Sequence, residues 1–373
     1  MITARRLNRA TLARQLLLER ADLDVAEAVR RVVALQAQEP VSPYLALWNR
    51  VARFDPAALD AAFAGGAVVK ATLLRITLHT VHAADYPAFH RAMVPTLRAA
   101  RLGDTRFTDS GLSLAEADAL LPRLLAETVR PHTAEEAEAA LATLLGGPRR
   151  GVWWALRTYA PLLHVPTGGP WSFDARAFVT APRQLPPEER EAAARHLVLR
   201  YLEGFGPATA PDIRQFTLLA GTTIKEALHG LGDEVEVVTG PGGTKLYDVP
   251  GGALPGEDVP APPRLLGMWD SVLLAYADRS RTIPPSYRRL VTRVNGDCLP
   301  TLLVDGHVAG VWRAGADGVE AKAFHPLPDE AWEGLAAEAA GLTAFLAERE
   351  PAVYRRYGHW WNKIPEGEAR RLT

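Results

Sequence analysis

The chain has a single cysteine, Cys298, in 373 residues. One thiol closes no intramolecular disulfide and builds no cysteine-based zinc site, a pattern that fits a reducing cytoplasm. No apolar run reaches the roughly 18 residues that a membrane span needs. The start, Met1-Ile2-Thr3-Ala4-Arg5-Arg6, lacks the apolar stretch of a signal peptide. The expectation is a cytoplasmic protein with no membrane partner. The ten histidines show no HExxH or comparable metal-ligand spacing. A P-loop, a GxGxxG after a strand and a GxSxG elbow are all missing. No metal and no cofactor is therefore expected. Net charge is −1 and the sequence pI is about 6.8. That argues against indiscriminate nucleic-acid binding, which accompanies strongly basic domains. A local basic surface is still compatible with it.

What is present is ordinary in bulk, at 48% hydrophobic and 23% charged. The length suits two to four domains with their own cores. Lysine is scarce: Lys70, Lys225, Lys245, Lys322 and Lys363 are the only ones. Arginine is clustered instead, at Arg5, Arg6 and Arg9; Arg149, Arg150 and Arg157; Arg279 and Arg281; and Arg288, Arg289 and Arg293. A guanidinium gives paired hydrogen bonds to phosphate, where an ammonium gives a point charge.

The chain repeats a layout. The first unit has helical patterns at 8–20 and 24–36, then Asp55-Pro56-Ala57 as cap and first turn of a third helix. Gly65-Gly66 ends that helix, and the β-prone runs Val68–Leu74 and Ile76–His82 follow. The second unit opens at Ser113 with Glu116 placed for a capping box. It continues through helical patterns at 113–128, 133–145 and 149–159. A hairpin is expected from 162–165 to 171–173, across Thr167-Gly168-Gly169-Pro170. The third unit has helices expected at 187–204, 208–218 and 222–231, then a hairpin from Val235–Val238 to Lys245–Val249. Three helices and a hairpin, three times, predict an α+β fold of three tandem winged-helix modules, at 1–100, 101–185 and 186–255. The Pro/Gly-rich stretch 251–263 reads as a linker. Beyond it, 256–373 is a β-rich region with a hairpin at 301–313 turned by Asp305-Gly306, and helical periodicity at 328–349. The segment 354–363 is aromatic and basic.

Gln36-Ala37-Gln38 stands at the end of the second helical pattern, before Glu39-Pro40. Pro40 biases Glu39 out of helical geometry, so the helix is expected to end there. A carboxamide offers a donor and an acceptor and does not titrate. Two of them at a fraying end can hold a water in fixed geometry, although helix-end glutamines are commonly just solvated.

The chain resembles the AlkZ-like DNA glycosylases of the bacterial winged-helix DNA-binding superfamily. The matching pieces are Leu35-Gln36-Ala37-Gln38, Leu78-His79-Thr80-Val81 followed by Asp85-Tyr86, Tyr276–Arg281 and Val304–Arg313. The resemblance implies a C-shaped body with a concave DNA channel. Its Gln, hydrophobic residue, Gln motif falls on Gln36 and Gln38 as catalytic residues, with Ala37 small for the middle position. It implies a monofunctional enzyme that hydrolyses the N-glycosidic bond of N7-alkylated purines, possible crosslink unhooking included, on double-stranded DNA and as a monomer. The expected DNA contacts are Arg149, Arg150, Arg157, Arg279, His307 and Arg313, with solvated surface as the competing reading of Arg149 and Arg150. Trp269 and Asp270 are expected near the cavity. Trp153, Trp154, His79 and Asp278 read as structural.

The chemistry agrees with two amides. Alkylation at N7 leaves a purine that already carries positive charge, so it departs without protonation. Water then has only to be held near C1′, a task of positioning. Glu39 is the rival as general base, with a solvated loop carboxylate as its plain alternative. The alternative function is a non-catalytic winged-helix DNA-binding protein or transcription regulator.

Overall fold

A computed structural model describes residues 1–315, 318–365 and 367–372. The architecture is mixed α and β, and its strands fall in three sheets. Leu35–Gln36 (β1), Val68–Thr72 (β2), Leu78–His82 (β3), His132–Thr133 (β4), Leu162–His164 (β5) and Ala177–Thr180 (β6) form a six-stranded sheet in the order β1-β3-β2-β5-β6-β4. Glu236–Thr239 (β7) and Lys245–Asp248 (β8) make a separate ribbon. Arg264–Leu266 (β9), Thr301–Val304 (β10), His307–Gly315 (β11), Gly318–Ala323 (β12) and Ala369–Leu372 (β13) form a five-stranded sheet, ordered β13-β12-β11-β10-β9. The strands of the first two sequence units thus share one sheet, joined where Lys70 of β2 pairs with His164 of β5.

Local signals place most helices. Ser113 and Glu116 form the expected capping box on Leu114–Glu127, and Thr133 and Glu136 form another on Ala134–Leu145. Asp55 caps Pro56–Ala64. Helices Arg190–Phe205, Ala210–Thr217 and Gly221–Gly230 precede the β7–β8 ribbon as expected. Asp305-Gly306 turns the β10–β11 hairpin, with Val304 opposite His307. Asp329–Ala347 is the late helix.

Four expectations are corrected. The helix expected at 24–36 is Val25–Arg31, and Gln36 lies on strand β1. Val33 turns the chain with φ of 73°, and Gln36 then pairs with His79 of β3. Val32 and Val33 are β-branched and wholly buried, so core packing and the open edge of β3 outweigh the helical period. The helix expected at 8–20 is Ala4–Arg14, started by the Thr3 cap. In place of the 162–173 hairpin, β5 pairs with β6. Trp171 and Phe173 instead enter the core, with ring centroids 5.1 Å from Tyr44 and 4.9 Å from Phe63. Burying those rings outweighs a short ladder. The helix expected from Arg149 starts at Val152, so Arg149 and Arg150 precede it. Ser42–Trp48 and Tyr86–Leu102 are helices that the pattern concealed, the second because Pro95 interrupts its period.

Helix Ala4–Arg14 ties the later regions together. Arg14 donates to both carboxylate oxygens of Asp248 on β8, at 2.6 and 2.9 Å. Asn8 donates to Gly306 O at 2.7 Å, and Thr11 shares a 2.7 Å hydrogen bond with Tyr276. Among the described residues no helix is long and apolar enough to cross a membrane, and no group of His, Cys, Asp and Glu could hold a metal ion.

Candidate active-site cleft

Gln36 and Gln38 leave β1 in different circumstances. Gln36 is 5% exposed. Its Oε1 accepts the backbone N–H of Ala37 at 2.7 Å and of Gln38 at 3.2 Å, so its carbonyl end is spent on shaping the segment. It lines a small cavity of about 10 Å³ with Ser42, Asp270 and Ser271, the room of about one water. Asp270 is held there by two hydrogen bonds from buried Arg50, at 2.8 and 2.7 Å. Asp270 thus lies beside Gln36, whereas Trp269, expected near the cavity with it, is not among the lining residues and packs edge-on against Tyr357 at 5.3 Å between ring centroids.

Gln38 is exposed and lines a 140 Å³ cleft with Thr72, Arg101, Trp154, Arg157, His164 and Arg176. Its Oε1 faces Leu78 N at 3.5 Å, too long for a firm bond. The two carboxamides therefore line different cavities on either side of one segment. The cleft lining also includes Ile76, next to Arg75; both have left-handed backbones, φ 60° and 52°. Such pairs of non-glycine residues store strain, which collects at functional sites.

The electrostatics of this cleft are unusual. Among the described residues no carboxylate lines it, and Arg157 makes no ion pair, with Glu138 acting on it only at longer range. Burial lowers the pKa of Arg157, and Arg176 and Arg101 lower it further. Arg101 and Arg106 each lie 4.5 Å from the Trp154 ring centroid. Behind the cleft, Lys70 is 4% exposed and sits 4.1 Å over the Phe173 ring. Burial pulls its pKa down to about 8, against the pull of Glu39. His164 is held well below the usual imidazole range by burial and then by Lys70, so its ring is neutral at pH 7. His79 is driven to about 3 by burial and then Arg75. Its Nδ1 lies 3.0 Å from Thr77 O and so carries the proton, leaving Nε2 to accept from Arg75 at 3.3 Å.

Glu39 is turned away from the cleft. It accepts from Arg356 and, at 3.1 Å, from the Tyr357 hydroxyl. That engagement disfavours it as a general base.

Of the remaining expected contact residues, only Arg157 joins Gln38. Arg149 is exposed and donates to Ser110 O at 3.1 Å, and Arg150 is exposed. Arg279 donates to Thr292 Oγ1 at 2.8 Å, and it makes no ion pair with Asp278, which instead accepts from Ser280 N. Arg313 is bound to Glu320 at 2.9 and 2.6 Å and stacks 4.6 Å over Trp361. His307 is half-buried at a hairpin tip fixed by the pairing of Asp305 with Arg5 and Arg9. Trp153 is core, edge-on to Phe178, whereas Trp154 faces the cleft. The sequence reading missed Arg101, Arg176 and His164. Each comes from a different element, and no spacing rule joins them.

Residues 29–345 match the family model described as DNA glycosylase AlkZ-like, and the chain belongs to that family. The fold is similar to that of the Streptomyces sahachiroi DNA glycosylase AlkZ. The two share a TM-score of 0.77 at 21% identity, with 94% of this chain and 99% of that one covered. At that identity the likeness concerns the fold. No curated protein sequence matches the chain.

Proposed function

We propose that this protein is a monofunctional DNA glycosylase that hydrolyses the N-glycosidic bond of N7-alkylated purines in double-stranded DNA, as a monomer. The observation that carries the reading is an exposed carboxamide, Gln38, in a cleft with uncompensated arginines and no carboxylate. Phosphates favour such a cleft through Arg101, Arg157 and Arg176. Gln38 holds the attacking water by its amide, and the charged purine leaves unassisted. Gln36, folded onto the backbone N–H groups of Ala37 and Gln38, positions the segment that carries Gln38. A carboxylate here would favour the cationic substrate along with the transition state and gain less in rate.

In this reading the helices and hairpins act as three winged-helix modules around a concave channel. Arg149, Arg150, Arg279 and His307 are outer DNA contacts. Arg313 is a weaker candidate because Glu320 neutralises it. Unhooking of interstrand crosslinks from genotoxic natural products is the finer activity that an open channel permits. The test is incubation with duplex DNA containing N7-methylguanine, followed by mild alkali. Strand scission at the modified guanine is expected. Intact DNA together with tight, sequence-specific binding would mean a regulator instead.

A further inference from the structure

Helix Val152–Tyr159 sends two neighbouring indoles in different directions. Trp153 is buried edge-on to Phe178, with ring centroids 5.3 Å apart, and the helix turns Trp154 the other way. Trp154 and Arg157, three residues apart on one face, both line the Gln38 cleft. The guanidinium carbons of Arg101 and Arg106 each sit 4.5 Å from the centroid of the Trp154 ring. Arg101 comes from the end of helix Tyr86–Leu102, and Arg106 from the short helical turn Thr105–Thr108 that follows. Close backbone packing fixes that turn against the helix that carries the indole. Gly151 precedes this helix with φ of 85°, and a Cβ there would lie 1.8 Å from Arg106 O. Arg101 also donates from Nε to Thr158 Oγ1 at 3.2 Å, one turn beyond Trp154.

The two cations gather without being neutralised. Among the described residues Arg101 makes no ion pair, with Asp104 acting on it only at longer range. Asp104 lies 3.5 Å from Arg106 Nε, but its Oδ1 also accepts the Arg106 backbone N–H at 2.9 Å. The Arg106 side chain stays 66% exposed. A carboxylate in place of the indole would draw both guanidinium groups in and cancel their charge. An indole face attracts them through its quadrupole and leaves both charges to act on a ligand. Each contact is worth about 0.5–1 kcal/mol at an exposed site, so it directs the side chains more than it stabilises the fold.

We propose that Trp154 is a positioning residue that holds Arg101 and Arg106 as charged donors at the cleft, and that Arg106 contacts a phosphate of the bound strand. The proposal rests on the DNA-binding half of the glycosylase reading. It extends the phosphate-binding set beyond the lining residues, since Arg106 stands outside them. It also makes a neutral residue responsible for part of the electrostatic affinity.

The test measures affinity for unmodified duplex DNA across a range of KCl concentrations. Trp154→Leu removes no charge, yet it is expected to flatten the plot of log affinity against log salt by about two units, one for each guanidinium set loose. Trp154→Phe keeps a ring face and is expected to recover at least about half of that loss. Arg106→Gln is expected to flatten the slope by about one unit. A merely structural Trp154 would lower affinity at every salt concentration and leave the slope alone, and that result overturns the proposal. So does an unchanged slope for Arg106→Gln, which is decisive if Trp154→Leu does not fold. Equal losses in the Phe and Leu variants overturn the role of the ring. Release of N7-methylguanine by the unmodified protein is measured in parallel. Absent release with the expected slopes overturns the glycosylase reading and leaves Trp154 in place.

Discussion

The cleft beside Gln38 and the hairpin tip at Asp305 are both rich in arginine, yet they treat positive charge in opposite ways. At the tip, Arg5 and Arg9 converge on Asp305, and the charge is neutralised within the fold. At the cleft, Arg157 and Arg176 face Gln38 with no carboxylate among the lining residues, and Lys70 lies buried behind them with only the longer-range pull of Glu39 to offset its charge. A folded chain gains nothing by crowding unpaired cations, since each desolvated charge is costly. Where they occur together beside a neutral amide, the missing counter-charge points to a ligand. The tip, by contrast, is a clamp that fixes the C-terminal sheet to the first helix.

The comparison can be broken or sharpened by substitution. The largest effect is expected from uncompensating a cation in the wrong place. Asp270→Ala strips buried Arg50 of its bidentate partner, and should cost about 3–5 kcal/mol in denaturant unfolding. Removing the compensation without penalty would show that unpaired cations are tolerated anywhere in this fold. Lys70→Met tests the reverse. The folded pKa of Lys70, about 8, lies below the unfolded value near 10.5. The unfolded chain therefore binds more protons between those two pH values, and the wild-type protein gains stability as pH rises from 8 to 10.5. At pH 7 the buried ammonium costs up to about 3 kcal/mol. Lys70→Met is expected to be the more stable at pH 7 and to lose that advantage towards pH 10.5, read from urea midpoints across the range.

Gln38→Ala should slow base release on the order of 100-fold, as loss of one positioning group does, while duplex affinity stays within a factor of two. Wild-type release by that variant would remove Gln38 from the chemistry even if the enzyme class stands. The smallest effects separate the two arginine sets directly. Arg157→Ala is expected to weaken DNA binding roughly ten-fold and flatten the plot of log affinity against log salt by about one unit. Arg5→Ala should leave that slope unchanged and lower stability by less than about 1 kcal/mol, because its pair with Asp305 is half-exposed. Equal salt slopes in the two variants would erase the distinction.

Much of this was legible early. Caps and turns are local, and so Ser113 with Glu116, Asp55 with Pro56, and Asp305 with Gly306 behave as their types require. Errors came where long-range packing competes with local preference. Val32 and Val33 end a helix that periodicity would continue, and Trp171 leaves a glycine-rich turn for the core. The site divides in the same way. Gln36 and Gln38 drew attention as neutral amides two residues apart, but in the fold Gln36 is fixed on β1 against β3 while Gln38 lies past the strand's end, and the two line different cavities.

The sequence by itself determined the kinds of side chain available: arginine rather than lysine, amides rather than a catalytic acid, and a C-terminal run of rings. Only the tertiary structure decided that Gln38, Arg101, Arg157 and Arg176 meet at one cleft, and that Glu39 is held away from it by Arg356 and Tyr357. The reason is that side-chain type is a local property, whereas the pairing or isolation of a charge depends on which distant segments the burial of apolar surface brings together.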